Sequence, residues 1–168
     1  GNRWARGLIG LVVLVPAWLS VVILQGLEHG AWLVLFVVAV VVAADVGAYF
    51  VGRKFGKHKL AREVSPGKSW EGFFGGLAAC LVLALGVSVA FDLPTKNTIL
   101  FTFGVLVTAL ASVIGDLVES MFKRHRGIKD SSRILPGHGG ILDRLDSLTA
   151  ALPVFTMAAL ASELPKYL

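Results

Sequence analysis

Residues 31–51 read AWLVLFVVAVVVAADVGAYFV, a run in which Asp45 is the only charged side chain. About 20 apolar residues are enough for a helix to cross the roughly 30 Å of hydrocarbon in a bilayer. Backbone polar groups in lipid must be satisfied within the segment, so the run is predicted to be a helix despite its many valines. It therefore predicts a membrane span that carries one carboxylate.

Four further stretches of the chain have the same apolar character. Together with the first, they predict five spans at about 7–27, 31–51, 73–92, 98–118 and 141–164. Only the segments 52–72 and 119–140 leave room for polar chemistry. We therefore expect one domain, residues 1–168, folded as an all-α polytopic membrane bundle with two long loops.

The overall composition agrees with a membrane protein. Of the 168 residues, 55% are hydrophobic and 16% are charged, and the mean hydropathy is +0.75. These values nearly exclude an ordinary water-soluble domain. The net charge of +5 does not indicate a nucleic-acid partner, because the basic residues fall in short runs between apolar stretches. The single cysteine, Cys80, excludes a disulfide framework and a cysteine metal cluster.

The lysines and arginines also predict the orientation of the chain. Fourteen of the 16 fall on one side of the predicted membrane. Because cytoplasmic segments carry the excess of positive charge, the N-terminus and both long loops are expected in the cytoplasm and the C-terminus outside. The chain begins Gly1-Asn2-Arg3 without an initiator methionine, and we expect it to be a piece of a longer protein.

Two carboxylates lie at membrane depth, Asp45 in span two and Asp116 near the end of span four. Such residues are costly and face the bundle interior or a water-filled cavity. For Asp45, a structural ion pair or hydrogen bond is as good an interpretation as direct chemistry. Asp116 begins a polar stripe at helical spacing with Glu119, Ser120 and Lys123, which favours a functional role over a merely solvated face.

The segment PGHGGILDRLD at residues 136–146 has the highest density of candidate functional residues in the chain. Asp143 and Asp146 would share one face of the first turn of span five, and two close carboxylates repel each other unless a cation lies between them. With Asp116 they form a set of hard oxygen ligands that suits Mg²⁺. The alternative is a helix start stabilised by its dipole, with Arg144 as an internal salt partner.

The same segment also has features of a phosphate site. Gly139 and Gly140 allow close backbone approach, and the free N–H groups of a helix start bind anions. We expect His138 to contact phosphate rather than to transfer a proton. About half of the nearby basic side chains are expected to bind substrate and the rest to anchor the topology: Lys123, Arg124, Arg126, Lys129, Arg133 and Arg144.

A second motif, SPGKSWEG at residues 65–72, places Lys68 where a loop re-enters the membrane. It imitates the end of a P-loop, but the earlier glycine that a P-loop needs would be at position 62, which is arginine. Trp70 is expected to be an interfacial anchor. His29, His58 and His125 are expected at the surface with no identifiable partner, and no zinc site is indicated.

Taken together, Ser120-Met-Phe-Lys-Arg124, Lys129-Asp130, Pro136-Gly-His-Gly-Gly140 and Asp143-Arg-Leu-Asp146 resemble the signature of the phosphatidate cytidylyltransferases, or CDP-diacylglycerol synthases. The agreement runs unbroken over 27 positions. Asp45-Val-Gly-Ala-Tyr49, Gly52-Arg53 and Phe55-Gly-Lys57 look like the family's preceding block. SPGKSWEG resembles its SPKKTWEG and departs from it at Gly67 and Ser69. The resemblance covers roughly residues 40–150. Because members of the family are typically longer at the N-terminus, the resemblance implies an N-terminally truncated bacterial member.

The resemblance implies a multi-pass inner-membrane enzyme with its active site facing the cytoplasm. It would transfer a cytidylyl group from CTP to phosphatidate, giving CDP-diacylglycerol and pyrophosphate with Mg²⁺, and a second cation such as K⁺ is plausible. Asp116, Asp143 and Asp146 would bind metal. The implied catalytic set is these three with Lys123 and Arg144, and the implied substrate-binding set is Lys68, Ser120, Arg124, Lys129, Asp130, His138, Gly139 and Gly140.

Three other functions remain as alternatives. A cation-coupled transporter using Asp45 and Asp116 would leave the His-Gly-Gly segment unexplained. A CDP-alcohol phosphotransferase would carry an Asp-Gly-x-x-Ala-Arg motif that the sequence lacks. A purely structural subunit would not need six basic residues around four acids. A second copy of the chain is kept as a candidate partner.

Overall fold

The computed structural model describes residues 3–128, 131–132 and 142–167, with the backbone alone at residues 3–6, 9 and 142–144. Its helices are α1 (Arg3–Gln25), α2 (Gly30–Phe55), α3 (Trp70–Ala90), α4 (Thr95–His125) and α5 (Leu142–Ala161). Between α2 and α3, β1 (Lys59–Ala61) and β2 (Ser65–Ser69) form an antiparallel hairpin. A single 3-10 turn, Leu164–Lys166, follows α5.

The surface of this bundle is suited to lipid. Helices α2, α3 and α4 are each long and apolar enough to cross a membrane, and α1 and α5 contain shorter apolar stretches. Large apolar side chains point outward from them, with Val82, Val89 and Phe103 exposed by 72%, 77% and 65%. Water would disfavour so much exposed apolar surface. The structure therefore confirms the predicted all-helical membrane bundle.

Small residues bring the helices into close contact in two pairs. Helix α2 packs mainly on α3, and α4 packs mainly on α5. A Cβ atom added at Gly76 of α3 would lie 2.6 Å from the carbonyl oxygen of Ala44 on α2. One added at Gly115 of α4 would lie 2.7 Å from the Cβ of Ala150 on α5. Such small-residue contacts are the usual means by which membrane helices approach each other.

Aromatic packing joins the two pairs at one end of the bundle. The ring of Phe36, near the start of α2, lies 5.5 Å from that of Phe101 on α4 and 5.7 Å from that of Phe155 on α5, between centroids. Phe101 and Phe155 are completely buried. This cluster fixes the positions of three helices, whose opposite ends carry the charged residues described below.

The structure corrects the predicted loops. The segment 119–140 was expected to be a loop, but α4 continues through His125, seven residues beyond its predicted span. Contacts between side chains one turn apart in the polar stripe at residues 116–123 stabilise this part of the helix. The segment 52–72 contains the last turn of α2 and the hairpin. Hydropathy alone did not reveal that hairpin.

Candidate active site

An ion pair between Lys68 and Asp116 lies at the centre of the polar end of the bundle. The Lys68 Nζ on β2 contacts Asp116 Oδ2 on α4, and each side chain is 26% exposed. The other oxygen of the same carboxylate, Oδ1, accepts a hydrogen bond of 3.2 Å from Ser120 Oγ one turn later on α4. Asp116 is thus held by a charge from the hairpin and by a hydroxyl from its own helix.

Two further carboxylates surround this pair. Asp45 on α2 lies within electrostatic range of Lys68, Asp116 and Asp146. Asp146 belongs to α5, and its Oδ1 accepts a hydrogen bond of 2.7 Å from the backbone N–H of Ser147. The backbone of Asp146 also faces Gly115, since a Cβ at Gly115 would lie 3.0 Å from the carbonyl oxygen of Asp146. Three helices and the hairpin therefore bring three carboxylates and one ammonium group together.

A cleft of about 180 Å³ opens beside these charges. Asp45 and Tyr49 of α2 form one wall, Lys68 of β2 forms another, and Val113 of α4 lies one turn before Asp116. The remaining lining is largely small or apolar, and includes Ala44, Ala48 and Phe73. A cleft with a few convergent polar groups in an apolar lining is the usual form of a small-molecule site.

Ser69 fixes the backbone next to Lys68. It is the N-cap of α3, it is only 7% exposed, and its Oγ accepts a hydrogen bond of 3.2 Å from the Gly72 N–H. Glycines on both helices leave room for this hydroxyl, since a Cβ at Gly52 or at Gly72 would lie 3.1 Å from it. The end of β2 is therefore locked against α2 and α3, which orients Lys68.

His58 and Glu71 close the base of the hairpin. His58 Nδ1 lies 2.7 Å from Glu71 Oε1, and the His58 backbone N–H donates to both carboxylate oxygens at 3.2 Å. The Trp70 N–H in turn donates to the His58 carbonyl oxygen at 2.9 Å. The expectation that His58 has no partner was wrong, because the hairpin brings it back to the first turn of α3.

Two basic side chains in the last turns of α4 make contacts, one within the helix and one with the hairpin. Lys123 Nζ lies 3.3 Å from Glu119 Oε1 one turn earlier. Arg124 Nε donates a hydrogen bond of 3.4 Å to the carbonyl oxygen of Val64, which immediately precedes β2. Of the predicted site residues, the structure thus groups Lys68, Asp116, Ser120 and Asp146, and it places Lys123 and Arg124 further along α4.

Several predicted site residues lie outside the described part of the chain. These are Lys129, Asp130, His138, Gly139 and Gly140. Asp143 and Arg144 belong to the first turn of α5, but their side chains are not described. The predicted metal triad is therefore represented by two side chains, Asp116 and Asp146. Across residues 3–128, 131–132 and 142–167, no three His, Cys, Asp or Glu side chains group closely enough to hold a metal ion.

The sequence did carry signals for two features that were missed. Ser69 directly precedes an apolar helix, and serine in that position is a standard N-cap. Glu71 follows in the first helical turn, where an acid is favoured by the helix dipole. The pairing of Glu71 with His58 had no local signal, because 13 residues separate them.

Comparison with known proteins places the chain in a family. Residues 2–161 match the model of the cytidylyltransferase family. A phosphatidate cytidylyltransferase of Pseudomonas aeruginosa is 52% identical over 155 residues, which are 92% of this chain and 57% of the relative. One from Haemophilus influenzae is 56% identical over 132 residues, 76% of this chain and 46% of the relative. One from Staphylococcus aureus is 46% identical over 136 residues, which are 80% of this chain and 52% of the relative.

This chain thus spans about half the length of the curated relatives it matches. The match extends over nearly all of its own residues, including the helices and the hairpin that assemble the cleft. The chain therefore belongs to the cytidylyltransferase family.

Proposed function

We propose that the chain carries the catalytic part of a phosphatidate cytidylyltransferase. It would transfer the cytidylyl group of CTP to phosphatidate, producing CDP-diacylglycerol and pyrophosphate. A phosphate oxygen of phosphatidate forms a bond to the α-phosphorus of CTP, and the bond from that phosphorus to the bridging oxygen of pyrophosphate breaks. The reaction needs no covalent enzyme intermediate, so its catalysis is chiefly positioning and charge neutralisation.

The observation that carries this proposal is the contact of Lys68 with Asp116 beside a cleft, in a chain whose relatives are named phosphatidate cytidylyltransferases. The polar end of an otherwise apolar bundle meets the demands of the two substrates. Phosphatidate keeps its acyl chains in lipid, whereas CTP arrives from water. A site at the end of membrane helices is accessible to both.

Mg²⁺ belongs to the proposal on the chemistry of the donors. Asp116 and Asp146 would supply carboxylate oxygens, and Asp143 lies one turn before Asp146 in the sequence of α5. Mg²⁺ prefers oxygen ligands and is commonly bound by one or two carboxylates together with substrate phosphates. When bound, the ion would neutralise negative charge on the phosphates of CTP. We also propose that the site binds a second cation, such as K⁺, to which no ligands are assigned.

The described residues have distinct parts in this reaction. Lys68 has three N–H donors, so an ammonium group that contacts Asp116 keeps donors for phosphate oxygens. Ser120 holds one oxygen of Asp116 and so orients the carboxylate. Lys123 and Arg124 add positive charge near the cytoplasmic end of α4, where pyrophosphate would depart. Arg144, Lys129, Asp130, His138, Gly139 and Gly140 complete the proposed set on sequence grounds.

The proposal also includes the orientation of the protein. The excess of lysine and arginine on one side supports an N-terminus and active site that face the cytoplasm, and a location in the inner membrane. A homodimer is kept as part of the proposal, and light scattering of the purified protein would test it.

The direct test is formation of CDP-diacylglycerol from phosphatidate by the 168-residue chain in proteoliposomes. We expect product that requires both CTP and Mg²⁺ and that is lost in Asp143→Ala. The Pseudomonas aeruginosa relative serves as the positive control for substrate delivery.

Product that forms equally well in Asp143→Ala would contradict the metal assignment. An inserted chain that forms no product, while the control is active, would contradict the activity. Ion-flux measurements on Asp45 and Asp116 variants would then test the transporter alternative.

A further inference from the structure

Helix α2 carries a polar stripe that leads from the cleft to its outer end. Asp45, Tyr49 and Arg53 follow one another at intervals of four residues and therefore lie on one face of the helix. Asp45 and Tyr49 line the cleft, and Arg53 lies one turn beyond it. Over these eight residues the helix rises about 12 Å. The stripe thus connects the carboxylates of the site with a guanidinium group at the surface.

The guanidinium group of Arg53 is directed back to Tyr49. Its Nη1 donates a hydrogen bond of 2.9 Å to Tyr49 Oη, and its Cζ lies 6.0 Å from the centre of the Tyr49 ring. Arginine has five N–H donors, of which this bond uses one. In the described part of the chain, no carboxylate pairs with Arg53. The group is therefore held in place with most of its donors available.

The side chains on this face of α2 are exposed rather than packed in the bundle interior. Val46, Tyr49 and Phe50 are exposed by 47%, 57% and 66%, in a helix long and apolar enough to span a membrane. A water-soluble nucleotide would gain no polar contacts from such an apolar surface. A lipid whose chains lie beside Val46 and Phe50 would bring its head group to the level of Tyr49 and Arg53.

We propose that Arg53, oriented by Tyr49, forms a docking site for the phosphate monoester of a membrane lipid at the lateral mouth of the cleft. Arginine binds phosphate through parallel N–H donors, which is stronger and more directional than contact with a lysine. Because Tyr49 and Lys68 line the same cleft, a lipid phosphate docked at Arg53 would lie beside the opening that leads to Lys68. The inference rests on the proposed function, which identifies the lipid as phosphatidate.

A simpler role for Arg53 is that of a positive anchor whose stem follows the apolar surface. The neighbouring Lys54 has that character, because its Nζ lies 5.3 Å from the centre of the Phe55 ring and it does not line the cleft. Lys54 is therefore a matched control, a basic residue at the same depth on another face. An anchor would be replaced well by another positive charge, whereas a phosphate fork would not.

The experiment measures equilibrium binding of radiolabelled dioctanoyl phosphatidate to the detergent-solubilised chain in the absence of CTP. We expect Arg53→Gln to weaken binding by roughly 10-fold or more, since hydrogen bonds to charged groups are at stake. Arg53→Lys and Tyr49→Phe should each weaken it by roughly 3-fold, and Lys54→Gln by less than about 2-fold. Helical content by circular dichroism checks that each variant is folded.

Three competitors identify the ligand class. Excess unlabelled phosphatidate should displace the label in an Arg53-dependent manner, whereas phosphatidylglycerol, a phosphodiester, and inorganic phosphate should displace it weakly. Equal losses of phosphatidate and phosphatidylglycerol binding in Arg53→Gln would reduce Arg53 to a general anionic-lipid anchor and overturn the proposal. Unchanged binding in folded Arg53→Gln, or no phosphatidate binding by the unsubstituted chain, would also overturn it.

This design separates the docking site from the proposed reaction. A chain that binds phosphatidate through Arg53 but never forms CDP-diacylglycerol would leave the docking site standing and the reaction refuted. A chain that forms product with the same KM for phosphatidate in Arg53→Gln would refute the docking site alone. In the supporting case, Arg53→Gln raises the KM for phosphatidate and leaves the KM for CTP within about 2-fold.

Discussion

At one end of the bundle Phe36, Phe101 and Phe155 pack three helices together, with the latter two rings fully buried. At the other end Lys68 and Asp116 lie beside an open cleft, and each is about a quarter exposed. The aromatic end has dense packing and no charge in its contacts. At the charged end, glycines such as Gly76 and Gly115 allow close helix contacts.

If the proposed function is right, the packing that stabilises the bundle and the chemistry lie at opposite ends of the same helices. Helix α4 shows this most clearly, because Phe101 and Gly104 lie near its start and Gly115 and Asp116 near its end. Substitutions along this one helix can therefore separate the two contributions.

The largest effect is expected from Asp116→Asn at the charged end. The amide has nearly the same shape but no charge, so Lys68 loses its partner and the proposed metal site loses a ligand. Cytidylyl transfer should fall by roughly 100-fold or more, as measured by CDP-diacylglycerol formation.

The matched control is Asp92→Asn, in the exposed turn before α4. Asp92 has a φ of 47°, which asparagine also tolerates. Similar losses of activity in both variants would contradict a special role for Asp116.

A smaller effect is expected from adding one methyl group to α4, either toward the aromatic cluster or next to Asp116. The Cβ in Gly115→Ala would press on Ala150 and on the Asp146 carbonyl oxygen, so α5 must shift together with Asp146. We expect activity to fall roughly 10-fold, because small displacements in a catalytic site are costly. The Cβ in Gly104→Ala would press on Ala158 at the aromatic end. It should lower the free energy of unfolding by about 1–3 kcal/mol and leave activity per folded molecule unchanged.

Activity assays on the folded fraction, combined with denaturant titration in detergent, measure both quantities. Gly86→Ala is the control, because a Cβ there meets nothing within 4 Å. A loss of activity in Gly104→Ala equal to that in Gly115→Ala would show that the two ends are not independent.

The smallest effect is expected from Ser69→Ala. It removes the hydroxyl that accepts from the Gly72 N–H, and loss of an N-cap costs about 1 kcal/mol. Because Lys68 precedes Ser69, kcat should fall a few-fold while the KM for CTP changes little.

Ser69→Thr keeps the hydroxyl and should retain most of the activity. If alanine and threonine have the same effect, the cap does not position Lys68 and the fall has another cause.

Apolar length made the helices of the membrane predictable from sequence. The apolar run around Asp45 is long enough to predict a membrane-spanning helix, and α2 contains the whole run. The ends of helices were less accessible, since α4 continues through Glu119 and Lys123, where hydropathy no longer supports a span. Only the helical spacing of those polar residues indicated the continuation.

The contacts of the candidate site were less predictable than its composition. Asp116 and Lys68 were both identified, but their ion pair depends on a hairpin that returns β2 to the end of α4. Nothing local to either residue specifies a partner 48 positions away. From the sequence, Asp146 was grouped with Asp116 because carboxylates are suitable Mg²⁺ ligands. In the structure, the absence of a side chain at Gly115 allows the backbone of Asp146 to lie close to α4.

The length of α4 has a consequence for the choice of membrane. Asp116 lies 21 residues after Thr95, a rise of about 31 Å along the helix axis, which nearly equals the roughly 30 Å hydrocarbon thickness of a typical bilayer. A helix that begins at one interface thus delivers its carboxylate to the other. In a thicker bilayer the carboxylate would sink into hydrocarbon unless the surrounding lipid thinned, and in a thinner one α4 would have to tilt. The acyl-chain length of the surrounding lipids therefore sets the depth of the Asp116 carboxylate in the bilayer.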